Sequence, residues 1–523
     1  MNNKKENERE ELHKTIWAIA DSVRGKINAS EFMSYVLSTM FYRYISENIT
    51  NFVNQNEEKS GNKGFDYAKM PDEEAEKVKD YLIETKGFFI KPSFLFENVV
   101  KRARHDENLN ETLEEVFRSI EDSTRGYLSE GDFKGLFSDF QVNNLKIGDT
   151  VLKRNKIFTN LLEKVAEMEL GDYKHNTIDV FGDAYEYLMG MYASNAGKSG
   201  GEFFTPQEVS ELLIKLTTYG KTEVDKVYDM CAGSGSLILK AIKVLGKENV
   251  RKGFFGQEVN PTTFNLCRMN MFLHDINYDK FKIACDDTLI HPQLQEEAPF
   301  DVIVSNPPYS IKWEGDKNPM LIDDPRFTPA GVLAPNQKAD LAFVMHALSY
   351  LSNDGAAAIV CFPGIFYRAG AELEIRKYLV DNNYVDALIQ LPNDLFYGTG
   401  ISTTIIVMKK NRTNTDIVFI NAEKEFVKIT KNNKLTEDNI NAIMNAYTKR
   451  EEIENFSRVI SYDEIVDNNY SLAVNNYIAG EVDAEAQIDI NELNKEIDAV
   501  VKRQEELRAK INEIIKKIEG TNK

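Results

Sequence analysis

The run FDVIVS ends at Ser305 and is followed at once by Asn306, Pro307, Pro308 and Tyr309. A proline directly after Asn306 removes a backbone donor and releases the chain from a sheet ladder. The Asn306 side-chain oxygen and the Pro307 carbonyl are then expected to project together as two acceptors. A planar amino group offers two donors to such a pair. Holding both hydrogens draws its nitrogen toward tetrahedral geometry and frees the lone pair. Tyr309 is suited to stack on the flat ring that bears the amine. No strong general base is required if the methyl donor is a sulfonium, which leaves as a neutral thioether. Catalysis would then be positioning plus electrostatic stabilisation. The bland alternative is a proline-rich strand exit.

Three other strand ends carry matching residues. KVYDMCAGSGSLIL reads as a strand, a glycine turn and a helix start, with Asp229 at the strand end and Ser234 between Gly233 and Gly235. The glycines allow a tight turn and a close approach to a ligand. A dinucleotide fingerprint would place a third glycine where Ile238 stands, so a nucleoside cofactor is the better reading. Glu258 closes the next strand, GFFGQEV, roughly 20 residues further on, where an acid accepts from both ribose hydroxyls. A third strand, FKIAC, leads into Asp286 and Asp287, and one of the two is suited to a cofactor adenine amino group. Upstream, GGEFFTPQEV contains Thr205, Pro206 and Glu208 in capping-box order. The glycines and paired aromatics before it suggest a loop folded over a ligand.

The elements that must position these residues alternate. From about residue 175, strand-length apolar runs (KVYDM, GFFGQEV, FKIAC, FDVIVS, GAAAIVCF, VDALIQL, STTIIVMKK) are interleaved with helical patterns. That order predicts a mostly parallel sheet with helices on both faces. The last two strands are expected to form an antiparallel hairpin at the edge. The first ~165 residues read as helical. Leu12, Ile16, Ile19 and Val23 repeat at helical spacing, Asn28 and Glu31 form a candidate capping box, and FMSYVLSTMFYRYI continues as a helix. Polar breaks fall at NEEKSGNKG and RHDENLNE. At the other end Ile490, Leu493, Ile497, Val500, Leu507, Ile511, Ile514 and Ile518 recur at three- and four-residue steps, interrupted only by Gln504. Such a seam packs either on another chain or on its own domain.

A chain of 523 residues is long enough for two or three domains. Its charged N-terminus lacks the apolar stretch of a signal peptide, and no apolar run is long enough to span a bilayer. Four scattered cysteines and six histidines show no ligand spacing, so neither a disulfide framework nor a metal site is expected, and a reducing cytoplasm fits. The net charge of −20 argues against unaided tight DNA binding and for a partner that supplies the grip.

Taken in order, GGEFFTP, DMCAGSG, GQE, DDTL and NPPY resemble the gamma-order amino-methyltransferases that use S-adenosylmethionine. The whole chain is similar to the modification (methylase) subunit of type I restriction-modification systems. NPPY alone is shared with some protein-glutamine and ribosomal-RNA methyltransferases; the ordered set with its flanking regions is far more specific. The resemblance implies an α/β fold: a Rossmann-like S-adenosylmethionine-dependent methyltransferase core over 166–475, a helical N-terminal domain over 1–165 and a long helical C-terminal tail over 476–523. Carried over by position, Glu202, Phe203, Phe204, Thr205, Pro206 and Gln207 cover the methionine part of the cofactor. Asp229, Gly233, Ser234 and Gly235 hold its backbone, Glu258 its ribose, and Asp286 or Asp287 its adenine. Asp286 stands where the family has glycine, which leaves the choice between the two acids open, and DMCAGSG departs mildly from DPACGTG-like forms. Asn306, Pro307, Pro308 and Tyr309 become the catalytic set for the N6 amine of a flipped adenine in double-stranded DNA. The implied partners are a DNA specificity subunit, a second methylase copy, and a motor and nuclease subunit in the full restriction complex. No P-loop for such a motor occurs in this chain.

Two other functions fit parts of the sequence. One is methylation of protein glutamine or RNA, which the large N-terminal region and heptad tail argue against. The other is a non-catalytic scaffold, which the intact NPPY and Glu258 argue against. The stretch IKWEGDKNPMLIDDPRFTPAGVLAPNQK after the catalytic motif is a candidate cover for the flipped base.

Overall fold

The computed structural model describes residues 29–168, 187–188, 205–396, 400–429, 432–478, 502–505 and 507–508. Met1–Ile478 and Ala479–Lys523 are separate compact units. In the second, the described residues are helical, and the rest of the seam from Ile490 to Ile518 lies outside the description. So do the expected helix through Leu12–Val23 and the side chains of the Asn28–Glu31 box.

The N-terminal region is helical as its periodicity predicts. Its main helices are α1 (Ala29–Lys59), α2 (Phe96–Ala103), α3 (Leu109–Ser123) and α4 (Val151–Glu167). NEEKSGNKG ends α1, and RHDENLNE separates α2 from α3. In α3 the buried face is Leu109, Leu113, Val116, Phe117 and Ile120, a helical repeat. Phe117 stacks on Phe137 with centroids 4.4 Å apart. Arg43 of α1 donates to the Val165 and Met168 carbonyls at 2.6 and 2.9 Å, which satisfies the open C-terminal end of α4.

Beyond it, α5 (Gln207–Thr218), α6 (Ser236–Leu245), α7 (Pro261–Leu273), α8 (Asp340–Tyr350), α9 (Ala371–Asp381) and α10 (Glu437–Lys449) accompany a mixed sheet. The strands are β1 (Val224–Asp229), β2 (Val250–Glu258), β3 (Phe281–Cys285), β4 (Phe300–Ser305), β5 (Leu351–Cys361), β6 (Val385–Gln390), β7 (Thr404–Lys409) and β8 (Ile417–Asn421). β9 (Val427–Ile429) and β10 (Asn432–Lys434) form a separate antiparallel ribbon. β11 (Ser457–Ile460) closes the main sheet, whose order is β11-β8-β6-β7-β5-β4-β1-β2-β3. β1 to β5 pair in parallel, whereas β7 runs antiparallel to both β5 and β6. Alternate strand residues feed two apolar layers. Val227, Val302 and Val304 pack on the side of α5 to α7; Tyr228, Ile303 and Ile359 pack on the side of α8 and α9. Burial on both faces explains why the strands read as continuous apolar runs.

Two expectations are corrected. β6 and β7 do pair antiparallel, but inside the sheet, because β8 and β11 extend it beyond β6. Short IVFIN and SRVI gave too weak a signal for strands. The capping box at α5 does not form: the helix starts at Gln207, Pro206 is the cap residue, and no side chain caps it. Thr205 is engaged elsewhere.

The helical region is docked through α7. Asp139 accepts from Thr262 at 2.8 Å and from Asn265 at 3.1 Å. Buried Arg268 donates to the Gly131 and Lys134 carbonyls and lies 4.0 Å over the Phe264 ring. Phe272 packs against Phe41 and Phe133. Because α7 begins three residues after Glu258, the docked helices also brace the end of β2.

Candidate active site

The order of β3, β2, β1, β4 and β5 reverses direction in sequence between β1 and β4. Open α/β sheets bind ligands outside the carboxyl ends of their strands at such a point. Asp229 ends β1 there and is fully buried. Its Oδ1 accepts from the Cys231 amide at 2.9 Å and from Ser305 Oγ, at the end of β4, at 2.7 Å. Its Oδ2 is buried and has no hydrogen-bond partner among the described residues. Burial pushes the carboxyl up to about 7, with the nearby Glu258 charge adding to the shift and the two hydrogen bonds opposing it. A buried anionic oxygen without a donor is costly alone and fits an incoming cation.

The turn after Asp229 holds Gly233 at φ 54° and Gly235 at φ 81°, both left-handed. A Cβ on Gly235 would fall 2.5 Å from Met271 Cε and 2.9 Å from Cys267 Sγ. Glycine is therefore required there on two counts. Ser234 is buried, and its carbonyl accepts from Asn270 Nδ2 at 2.9 Å. Glu258 accepts from the Gly233 amide at 2.9 Å and the Asn260 amide at 2.8 Å, so one carboxylate ties β2 to the glycine turn. Burial raises its pKa, opposed by these backbone amides.

Glu258, Asp287, Asn306 and Pro308 line one cavity of about 230 Å³, together with Met230 and Cys231. Asp286 is outside this lining; its carboxylate accepts from the Asp287 amide and from Gln293 Nε2. Asp287 Oδ1 accepts from the Leu289 and Ile290 amides. A larger hollow of about 610 Å³, lined by Phe327, Leu333 and Ala334, contains none of the motif residues.

Asn306 donates from Nδ2 to Thr205 Oγ1 at 3.2 Å and accepts at Oδ1 from the Tyr309 hydroxyl at 2.5 Å. The buried Thr205 thus orients the amide rather than capping α5. Pro307 is buried and Tyr309 half-buried. Burial lifts the Tyr309 phenol well above its usual range, so it remains a donor. The turn ends at Ser310, whose φ is 52° and whose amide donates to Asp340 Oδ1 at 3.0 Å. Gln207 lies beside Pro206 with a buried Nε2 that has no partner among the described residues. Glu202, Phe203 and Phe204 lie outside the described residues.

Three contributors escaped the sequence reading. Ser305 was legible only as a strand end. Gln257, fully buried, donates to the Asp286 and His291 carbonyls and accepts from the Gln293 amide, which shapes the acidic turn. Trp313 lines the cavity from the segment after the Asn306–Tyr309 turn.

This sheet, with its glycine turn and polar turn at the reversal point, has the fold of the S-adenosylmethionine-dependent methyltransferases. The family described as N-6 DNA Methylase matches residues 176–486, and that described as HsdM N-terminal domain matches residues 12–165. The chain is 50% identical to the Type I restriction enzyme MpnII methylase subunit of Mycoplasma pneumoniae, over 99% of this chain and 98% of that one. It is 35% identical to the solved type I restriction-modification methyltransferase subunit of Streptococcus thermophilus, with a TM-score of 0.80 over 90% of this chain and 99% of that one. A chain from a structural study of complex assembly in the type I R-M system shares the fold at 17% identity, with a TM-score of 0.63 over 98% and 99%. The protein belongs to the family of type I restriction-modification methylase subunits and is an adenine-specific DNA methyltransferase.

Proposed function

We propose that this chain transfers a methyl group from S-adenosylmethionine to the N6 amine of an adenine flipped out of double-stranded DNA, at sites chosen by a separate specificity subunit. The observation that carries this reading is the contact between Asp229 and Ser305. It sets a buried carboxylate, one oxygen of which has no partner among the described residues, against the residue that precedes Asn306.

The residues fit the cofactor. Asp229 Oδ2 suits its ammonium, Glu258 its ribose hydroxyls and Asp287 its adenine amine, while the Gly233–Gly235 turn leaves room for its backbone. Gln207 Nε2, a donor without a partner among the described residues, suits its carboxylate. When bound, it supplies a sulfonium methyl group. Asn306, oriented by Thr205, and the Pro307 carbonyl accept the two hydrogens of the target amine, and Tyr309 stacks on its ring. Fixed acceptors at a water-poor site stabilise charge developing on the nitrogen. Flipping brings the base to them.

We assign three functional parts, 1–165, 166–475 and 476–523: helical region, catalytic core and assembly tail. A net charge of −20 favours a borrowed DNA grip. The proposed assembly pairs two methylase copies with one specificity subunit, to which a motor and nuclease subunit adds for restriction. Among the described residues no helix is long and apolar enough to cross a membrane; we place the complex in the cytoplasm, where its DNA substrate is.

The test is transfer of labelled methyl from S-adenosylmethionine to unmethylated DNA, with nucleoside analysis of the product. It is run with the chain alone and with its co-purifying partner. N6-methyladenine only with the partner, and none with Asn306→Ala, is the expected result. No methylated base in either condition would move the reading to a protein or RNA substrate.

A further inference from the structure

The segment between the catalytic turn and α8 is closed at its base and pinned in its middle. At the base, the Ala339 amide donates to the Ile311 carbonyl at 2.9 Å, and Trp313 donates from its amide to Asn336 O and from Nε1 to Pro335 O. In the middle sits Arg326, 4% exposed. Its Nη1 donates to the Thr288 carbonyl at 2.8 Å and to His346 Nδ1 at 3.1 Å. Its Nη2 donates to the Leu289 carbonyl and to Asp324 Oδ2, both at 2.7 Å, and its Nε donates to Asp324. All five guanidinium N–H groups therefore have acceptors.

This network borders the cofactor cavity on several sides. Thr288 follows Asp287, and its hydroxyl donates to the Met230 carbonyl at 2.6 Å. Phe327, next to Arg326, meets the Trp313 ring edge-on at 5.4 Å. His346 is fully buried, and burial together with the Arg326 charge keeps its pKa well below the usual range. It is neutral, so Nδ1 accepts from Arg326 and Nε2–H donates to the Tyr228 hydroxyl at 3.0 Å. Tyr228 immediately precedes Asp229. A buried ion pair is a poor source of stability and is readily replaced by apolar packing. A five-way arginine fork does what apolar packing cannot, since it fixes the separation of several backbone groups.

We propose that Arg326 is a positioning residue of the cofactor site. It fixes two walls of the cavity, the Asp287–Leu289 turn through its carbonyls and Trp313 through Phe327. The segment after the catalytic turn is on this account a fixed wall rather than a moving cover. The inference rests on the cofactor reading given above.

The experiment uses the full chain in a Trp17→Phe background, which leaves Trp313 as the remaining indole, for binding and emission, and the same chain assembled with its co-purifying partner for kcat. Arg326→Lys keeps the charge and loses the fork. It is expected to weaken S-adenosylmethionine binding in calorimetry by roughly tenfold, to change kcat at saturating cofactor less than about threefold, and to shift Trp313 emission to the red without cofactor. Phe327→Leu, which spares the fork, is expected to shift the emission and weaken binding by a smaller factor. A folded Arg326→Lys with unchanged affinity and emission overturns the proposal. So does one in which kcat falls while affinity holds. If Arg326→Lys does not fold, Phe327→Leu with wild-type affinity and emission overturns it. Failure of the unsubstituted chain to bind S-adenosylmethionine would instead overturn the cofactor reading, and this inference with it.

Discussion

Asp229 Oδ1 and Ser305 Oγ are 2.7 Å apart and joined by a hydrogen bond that crosses from the end of β1 to the end of β4. One strand leads into the glycine turn and the other into Asn306. The β1–β4 ladder sets the two strands side by side, and this hydroxyl joins the two halves of the site at the strand ends. Ser305→Ala removes one of two donors to a buried carboxylate. Hydrogen bonds to charged groups contribute about 1.5–3 kcal/mol, so cofactor affinity at pH 7 should fall at least tenfold. The pH midpoint of binding should move upward relative to wild type. Calorimetry between pH 6 and 9 reads both, and an unchanged midpoint would show that Ser305 does not control Asp229.

The Asp229 carboxyl itself sets a pH dependence with a definite sign. Its pKa is raised to about 7 in the fold, against about 3.9 in an unfolded chain. The folded state therefore holds this proton more tightly. The contribution to stability is fully present below about pH 4 and is lost as pH rises to about 7. Glu258, also raised by burial, acts in the same direction. Binding of a cationic ligand has the opposite trend, because it needs the ionised Asp229 and strengthens as pH rises through about 7. Asp229→Asn should weaken cofactor binding by roughly a hundredfold and flatten its pH profile through 7, while raising the thermal midpoint of the free chain at pH 8. A lower midpoint at pH 8 would contradict the assigned burial cost.

Glu258 makes two backbone contacts that a ribose ligand would share. Glu258→Ala leaves the Gly233 and Asn260 amides without their acceptor and removes the hydroxyl acceptor. Loss of detectable binding in calorimetry is expected, with Glu258→Gln intermediate. Wild-type affinity in Glu258→Ala would leave the second strand end without a role.

Much of this site was readable from strand ends. Asp229, Glu258 and Asn306 each close an apolar run, and a period of uninterrupted hydrophobicity fixes where a buried strand stops. What could not be read were groups defined by a partner far along the chain. Ser305 matters because of Asp229, Thr205 because of Asn306, and Arg326 because of Thr288 and His346. Local chemistry misled at Thr205: the capping pattern was present, but the hydroxyl is taken by the Asn306 amide. The same limit applied to the sheet edge. β8 and β11 are short, and their pairing is decided by tertiary contacts rather than by propensity. Between Asp286 and Asp287, adjacency in sequence gave no means of choice, whereas only Asp287 lines the cavity.

Asn306→Ala should leave cofactor affinity within about twofold and reduce methyl transfer by roughly a hundredfold or more, the scale for losing one preorganised polar group in a transition state. Thr205→Val keeps the amide but frees its orientation, and a smaller loss, about tenfold, is expected. Tyr309→Phe keeps the ring and should retain more activity than Tyr309→Ala. Single-turnover rates at saturating cofactor separate these effects from binding. Near-wild-type transfer by Asn306→Ala would remove the asparagine from the mechanism.

The C-terminal seam gives a prediction about assembly. Eight apolar residues from Ile490 to Ile518 recur at coiled-coil spacing, and Gln504 occupies one seam position. Leu507, on a helix, is 54% exposed, which is high for a seam residue and fits a surface that another helix covers. A polar residue at one seam position costs stability but specifies register, as an assembly with a defined partner requires. Truncation before Ile490 should therefore abolish co-elution with the specificity subunit on a sizing column while leaving S-adenosylmethionine affinity within about twofold. Gln504→Leu should strengthen self-association and weaken discrimination between partners. Unchanged co-elution after truncation would assign the seam to packing within the chain itself, and the DNA grip would have to reach the catalytic core by another surface.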